Sequence, residues 1–206
     1  MLEQAFSAFV TLFVTIDPLG LAPLFLALTT GMSRGERAQV ALRATLTAFA
    51  VLVLFAVAGL VILSVFGITI PAFRIAGGVL LFFIAFEMIF ERRQDRKEKS
   101  AEMAQADRIR NIAVFPLAIP LISGPGAISA TILLSGTYGD VLGRALLILI
   151  VAINIAACWL VFLAADRIDH LLGATGRIVL TRLLGLILAA LAVQFIADGV
   201  LAFARA

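Results

Sequence analysis

The sequence predicts an all-α integral membrane protein with six transmembrane helices. Three observations predict it: an apolar composition, six long apolar stretches, and basic residues concentrated in alternate loops. Of the 206 residues, 63% are hydrophobic and 14% are charged, and the mean hydropathy is +1.13. A soluble domain of this length has too small an interior for so many apolar side chains. The chain is therefore expected to place much of its apolar surface against lipid.

Six apolar stretches of about 20 residues are long enough to cross a bilayer. They are predicted at residues 4–30, 41–66, 72–90, 112–135, 141–165 and 178–203. The first is interpreted as a retained helix and not as a cleaved signal peptide, because it lacks a basic segment before it and a small-residue cleavage site within it.

The connections between these stretches carry most of the charge. The first, third and fifth connections contain 13 of the 16 basic residues: Arg34, Arg37, Arg43, Arg92, Arg93, Arg96, Lys97, Lys99, Arg108, Arg110, Arg167, Arg177 and Arg182. The positive-inside rule then predicts that these loops lie in the cytoplasm and that both termini are periplasmic or extracellular. The net charge of +3 lies in loops and indicates no nucleic-acid partner.

The chain repeats two landmarks at nearly one offset. Pro18 and Pro125 are 107 residues apart, and Arg74 and Arg182, in the segments FRIAG and TRLLG, are 108 apart. This spacing predicts two three-helix repeats, at residues 1–92 and 111–206, joined by a charged cytoplasmic linker at 93–110 that is interpreted as a solvated helix. Because three is odd, the second repeat is expected to insert upside down. Chance similarity between apolar segments is the alternative.

Two helix breaks interrupt the predicted first and fourth spans, at residues 15–20 (TIDPLG) and 121–126 (LISGPG). Irregular backbone at membrane depth is tolerated only where it lines a cavity or is buried in protein. Pro116 and Pro120 predict that the fourth span is bent or unwound well before Ser123. Asp17 and Gly124 are predicted helix N-caps, each followed by a proline at the first helical position. Each break then presents a half-helix amino terminus that suits an anion, an arrangement typical of secondary transporters.

The predicted substrate site combines the two breaks. Its candidate residues are Asp17, Pro18, Gly20, Ser123, Gly124, Pro125, Gly126 and Ala127. The carboxylate of a zwitterion is expected against the amides of Gly126 and Ala127, and its ammonium group against Asp17. The alternative is structural: Asp17 only caps a helix, and the glycines only allow helices to pack closely.

Four polar residues within spans are candidates for ion coupling or for support of the site: Asp17, Glu87, Asn154 and Gln194. Desolvation favours a neutral carboxyl at Asp17, and a substrate ammonium favours the charged form, so this residue can exchange a proton for substrate. Sodium bound by Asp17 and unwound backbone carbonyls is the alternative coupling ion. For Glu87 the alternative role is an ion pair, and for Asn154 and Gln194 it is a hydrogen bond between helices.

The sequence gives no indication of an enzyme. Cys158 is the single cysteine and His170 the single histidine, so neither a disulfide nor a metal or cofactor site is predicted. Intramembrane protease motifs are missing, since residues 137–140 (TYGD) lack the first glycine of GxGD. No catalytic residue is therefore assigned.

Three segments together resemble the MarC family of bacterial membrane proteins. They are residues 17–20 followed by Pro23, residues 73–78 (FRIAGG) and residues 116–126 (PLAIPLISGPG), and the resemblance covers essentially the whole chain. It implies a multi-pass protein of the bacterial cytoplasmic (inner) membrane. It also implies transport of small neutral amino acids such as glycine and alanine, the activity of SnatA-type members. The alternatives are a passive channel, a structural membrane protein without transport, or efflux of another small metabolite. Membrane lipids are expected partners, and a homo-oligomer is left open.

Overall fold

Helices account for nearly all of the chain that the structure describes. The computed structural model describes residues 2–93, 96–97 and 112–205, and within these ranges helices are joined by short turns without a β-strand. Lys99, Arg108 and Arg110, with most of the predicted linker, lie outside the described residues. The predicted repeat boundaries therefore stay predictions.

The helices follow the predicted apolar stretches closely. They are α1 (Leu2–Ile16), α2 (Pro18–Leu28), α3 (Arg34–Val65), α4 (Ile70–Ile89), α5 (Ala113–Ile122), α6 (Pro125–Ser135), α7 (Val141–Leu163) and α8 (Ala165–Ala204). With α1 and α2 taken together, five helices in the described ranges are long and apolar enough to cross a membrane. The bent pair α5–α6 gives the sixth span when it is counted as one.

The predicted connection between the fifth and sixth spans is helical, which corrects the sequence interpretation. α8 begins at Ala165 and not near residue 178, and it bends at Gly173, where φ is 60°. His170 consequently lies in a helix and not in a polar loop. Gly173 is the one residue at this bend with non-helical angles, and Asp169 and Arg177 form an ion pair across it. A polar composition was therefore a poor guide here, because polar residues form helices as readily as loops.

α4 and α8 pack against each other in antiparallel orientation through glycines. A Cβ atom at Gly78 would lie 3.0 Å from the carbonyl oxygen of Ala192, and one at Gly199 would lie 3.1 Å from that of Pro71. Gly185 makes a third close approach to α4. These helices contain the third predicted span of each half. The third and sixth of six consecutive spans are antiparallel in any arrangement, so the inverted repeat stays a prediction.

The basic loops meet at one end of the helix bundle. Arg37 at the start of α3 pairs with Asp166 at the start of α8, with 3.3 Å between Nη1 and Oδ1. Arg182 of α8 pairs with Glu91, just after α4. The positive-inside rule predicts that this end faces the cytoplasm.

Candidate functional site

The first break forms where α1 ends and α2 begins. Asp17 lies between the two helices in a left-handed conformation, with φ 58° and ψ 63°, which aspartate tolerates better than most residues. Its Oδ1 accepts a hydrogen bond from the amide of Gly20 at 3.1 Å, and Pro18 is the first residue of α2. A Cβ atom on Gly20 would lie only 2.2 Å from Oδ2 of Asp17. The predicted N-cap is confirmed, and it needs glycine at position 20.

Lys97 holds the same carboxylate from the opposite side. Its Nζ lies 2.9 Å from Oδ2 of Asp17, and the two side chains are 8% and 3% exposed. Arg93, four residues earlier in the sequence, is also buried and donates hydrogen bonds to the carbonyl oxygen of Thr15 and the sulfur of Met88. The interpretation of residue 93 onwards as a solvated linker is therefore wrong for these two residues.

The location of Arg93 follows from unpaired backbone at the break. The last carbonyls of a helix have no partner within that helix, and the Thr15 carbonyl belongs to the final turn of α1. Such a group, when it is buried, needs a donor. Arg93 supplies the donor from 78 residues further along the chain.

The second intramembrane carboxylate is also paired. Nη2 of Arg96 lies 2.9 Å from Oε2 of Glu87, whose side chain is 9% exposed. This confirms the ion-pair alternative for Glu87. The segment after α4 thus provides cations to both buried carboxylates, Asp17 and Glu87.

The second break lies between α5 and α6, which meet at a bend of 58°. α5 is irregular because Phe115 and Ile119 are extended, and each precedes a proline, which disfavours helical angles in the residue before it. At its end, the amide and hydroxyl of Ser123 both donate to the carbonyl oxygen of Ala118, at 2.9 and 2.7 Å. The predicted unwinding before Ser123 is confirmed.

The amino terminus of α6 has no side-chain cap in the part of the chain that the structure describes. Gly124 is the N-cap and Pro125 the first helical residue, as predicted, so the amides of Gly126 and Ala127 point out of the helix end without a capping acceptor. The backbone is tightly enclosed. A Cβ atom on Gly126 would lie 2.2 Å from Cδ1 of Ile84 and 3.2 Å from Cγ2 of Thr15, so any larger residue requires the Ile84 side chain to move.

A cavity of about 290 Å³ separates the two breaks. Its described lining residues are Thr15, Leu80, Ile84, Arg93, Arg96, Lys97, Pro120, Leu121, Ile122, Gly124, Pro125, Gly126 and Ala127. Four predicted site residues, Gly124, Pro125, Gly126 and Ala127, are among them.

The other four predicted site residues do not line the cavity. Asp17, Pro18, Gly20 and Ser123 are absent from its described lining. Asp17 contacts the cavity only through Lys97, and the Ser123 hydroxyl is used within α5. The position beside Asp17 where a bound ammonium was expected is therefore occupied by the ammonium group of Lys97.

Comparisons with known proteins identify the family of the chain. A family described as MarC family integral membrane protein matches residues 2–203. The chain belongs to the MarC family. Relatives named UPF0056 membrane protein occur in Buchnera aphidicola from Schizaphis graminum (42% identical, over 93% of this chain and 89% of the relative) and Archaeoglobus fulgidus (41%, over 94% and 91%). YhcE of Escherichia coli, also a UPF0056 membrane protein, is 35% identical over 95% of this chain and 91% of its own length. No solved structure matches the chain.

Two predicted residues of this MarC-family protein lie elsewhere than expected. Gln194 is exposed on α8 and donates to Asp198 of the same helix at 2.8 Å. Asn154 is buried, and its Nδ2 donates to the carbonyl oxygen of Ile150 at 3.0 Å, again within one helix. The hydrogen bonds predicted between helices are wrong for both residues, because Gln194 faces away from the bundle and Asn154 bonds one turn back.

Sequence reasoning missed Thr15, Arg93, Arg96 and Lys97. A usable signal existed for the basic residues: positions 93 and 97 are four apart and share a helix face, and two carboxylates in apolar spans require cations. Nothing in the local sequence distinguishes Thr15, whose contribution is a backbone carbonyl. Clusters of three or more possible metal ligands do not occur in the described ranges.

Proposed function

We propose that this MarC-family protein is a secondary transporter of small neutral amino acids, working by alternating access around the cavity between the two breaks. One observation carries the proposal: the uncapped amino terminus of α6 and the buried side chain of Arg93 line the same cavity. Free helix amides and a guanidinium group together form a site for a carboxylate. The substrate class continues the resemblance to SnatA-type members.

The first break provides a model for how a carboxylate binds at the second. At α2, the protein's own carboxylate, that of Asp17, accepts from the helix amide of Gly20 and contacts the ammonium of Lys97. At α6, Gly124 occupies the cap position and brings no side chain. In the proposal, the carboxylate of the substrate takes the place that Asp17 fills in the other break.

The charges of the cavity favour a ligand with one negative group. Asp17 is neutralised by Lys97, and Glu87 is paired with Arg96. Arg93 is 7% exposed, bonds to a carbonyl and a sulfur, and its Nε has no partner among the described residues. A buried cation without a carboxylate partner is costly, and an anionic ligand removes that cost.

The size of the cavity favours a small substrate. A volume of about 290 Å³ corresponds to roughly ten water molecules at about 30 Å³ each. Apolar groups from Leu80, Ile84 and Leu121 line it, which suits glycine, alanine or a similarly small side chain.

In this scheme the substrate ammonium displaces Lys97 from Asp17 during transport.

Ion coupling is proposed to involve the same exchange. When Lys97 leaves, Asp17 needs another positive partner, and a proton or the substrate ammonium satisfies it. We favour a proton, with sodium as the competing ion, because a lone carboxylate in an apolar span is stabilised by protonation.

Transport into proteoliposomes tests the function directly. Uptake and counterflow of labelled glycine and alanine would be measured with a pH gradient, with a sodium gradient and with neither. Accumulation above the equilibrium concentration supports a coupled transporter, whereas equilibration alone indicates a passive channel. Arg93→Gln should lower the apparent affinity for both amino acids at least tenfold while the protein stays monodisperse in detergent. Unchanged affinity in that variant would contradict the assigned carboxylate site.

A further inference from the structure

A second cavity, of about 520 Å³, lies at the basic end of the bundle. It is formed where α2 and α7 end and where α3 and α8 begin, so both halves of the chain contribute to it. Its described lining residues are Phe25, Leu26, Arg34, Arg37, Ala38, Leu160, Phe162, Leu163, Ala164, Asp166 and Arg167. None of them lines the cavity between the breaks.

The polar part of this cavity is strongly cationic. Three arginines, Arg34, Arg37 and Arg167, face a single carboxylate, that of Asp166. Asp166 pairs with Arg37 but is itself 76% exposed, and Nε of Arg37 has no partner in the described part of the chain. Arg34 and Arg167 are exposed and available to a ligand. Convergent guanidinium groups of this kind match a phosphate, which they bind through paired hydrogen bonds.

The rest of the cavity wall is apolar. Phe25 and Phe162 close it towards the protein interior, with their rings stacked at a centroid distance of 4.5 Å. Leu160 and Leu163 of α7 form its outer edge and are 57% and 46% exposed. A free phosphate ion gains nothing from such a wall, whereas a lipid brings a phosphate and hydrocarbon together.

The apolar wall continues along the outside of α7. Leu149, Ile153 and Leu160 are exposed and recur at helical spacing, so they form one track on the membrane-facing surface. This track is roughly 16 Å long at 1.5 Å per residue, enough for most of an acyl chain. Leu160, at one end of this track, also lines the cavity that contains the arginines.

We propose that this cavity binds an anionic phospholipid, with the phosphate of the headgroup between Arg34, Arg37 and Arg167 and one acyl chain along α7. Basic pockets between transmembrane helices on the side of the positive loops are suited to such headgroups. The site is independent of the proposed transport activity, because it shares no lining residue with the central cavity.

Lipid binding to the purified full-length protein tests the proposal. Dioleoylphosphatidylglycerol and dioleoylphosphatidylcholine would be titrated into the delipidated protein in detergent, with bound lipid counted by native mass spectrometry. The test variant is Arg34→Gln/Arg167→Gln. The matched control is Arg43→Gln/Arg92→Gln, which removes two exposed arginines outside the cavity. We expect one phosphatidylglycerol to bind at least tenfold more tightly than phosphatidylcholine, and the test variant, but not the control, to lose that preference.

Three outcomes would overturn the lipid site. Equal losses in the test and control variants would indicate diffuse attraction to surface charge. Equal affinity of the unmodified protein for the two lipids would show that the headgroup charge is not recognised. A third arm uses inorganic phosphate and glycerol 3-phosphate. If either stabilises the protein to heat as much as phosphatidylglycerol does, the cavity is a site for a soluble anion.

Discussion

The two breaks share a local design and differ in what completes it. In each, a cap residue is followed by proline, and the proline begins a half-helix. At the first break the protein supplies the anion, because Asp17 caps the amide of Gly20 and is held by Lys97. At the second, Gly124 leaves the helix end open to a cavity. The comparison teaches that the same break can be completed by the protein's own side chain or left open, and the open one is the site proposed for the ligand.

The difference between the two breaks also predicts different effects of mutation on protein stability and on substrate recognition. A buried ion pair contributes little net stability compared with apolar residues, yet loss of one partner leaves a charge buried alone. Mutations of Asp17 or Lys97 should therefore reduce stability in addition to the ion coupling proposed for Asp17. Mutations at the second break should act mainly on the affinity for substrate.

The largest effect is expected at Gly126. Gly126→Val should reduce amino acid uptake at least a hundredfold while the protein is still inserted, because its side chain would overlap Ile84 and fill the space in front of the α6 amides. Uptake into proteoliposomes measures the loss. Gly139→Val is the matched control, since Gly139 has open space around its Cβ position. Normal transport by Gly126→Val would remove the second break from the site.

The pair Asp17–Lys97 should dominate the stability of the first break. Lys97→Gln and Asp17→Asn each leave one buried charge without its partner, so the free energy of unfolding should fall by about 3–5 kcal/mol in each single variant. The double variant should recover most of that loss. Unfolding in detergent, followed by circular dichroism, measures all three. Additive losses in the double variant would mean that the two side chains do not stabilise each other.

Gly20 and Gly124 allow the breaks to be compared by the same substitution. Gly20→Ala brings a methyl group against the Asp17 carboxylate and should cost about 1 kcal/mol through the weakened cap. Gly124→Ala places a methyl group 2.5 Å from the carbonyl oxygen of Pro120, so the start of α6 must move. We expect the apparent KM for uptake to rise severalfold in Gly124→Ala and to change less than twofold in Gly20→Ala. The reverse ranking would reverse the roles of the breaks.

The smallest effect is expected at an exposed cap, which serves as a standard for the buried one. Ser33 and Glu36 form a capping box at the start of α3, and hydrogen bonds from Ser33 lower the pKa of the Glu36 carboxyl. Their stabilisation is present above the unfolded pKa of Glu36 and is lost as pH falls through the lowered folded pKa. Ser33→Ala should lower the free energy of unfolding by less than Gly20→Ala does and should weaken this pH dependence. Unfolding measured between pH 3 and pH 7 checks it, and an unchanged profile would contradict the cap.

The features that were predictable from sequence are those encoded by neighbouring residues. The caps at Asp17 and Gly124, and the unwinding before Ser123, follow from proline and glycine within a few positions. The ion pair between Asp17 and Lys97 was not predictable in this way, because it joins residues 80 positions apart. A charged segment after a span was interpreted by its composition as solvated, although two of its cations satisfy groups inside the bundle.

The direction in which side chains point was the other feature that could not be predicted from the sequence. Gln194 lies in an apolar stretch, and its depth in the sequence of α8 gave no information about which side of the helix faces lipid. Thr15 was unremarkable because its carbonyl, and not its side chain, makes the contact with Arg93. Both facts depend on how helices rotate against one another, which periodicity determines poorly in a helix that is apolar all round.

The glycine contacts between α4 and α8 have a mechanical consequence for the proposed transport cycle. These two long helices come from different halves of the chain, and their backbones meet so closely at Gly78, Gly185 and Gly199 that separating the halves there would break direct backbone contacts. The short helices are the natural moving parts. α2, α5 and α6 have 11, 10 and 11 residues, and each begins or ends next to the breaks at positions 17 and 124. We therefore expect α2, α5 and α6 to move individually during transport while α4 and α8 stay packed together.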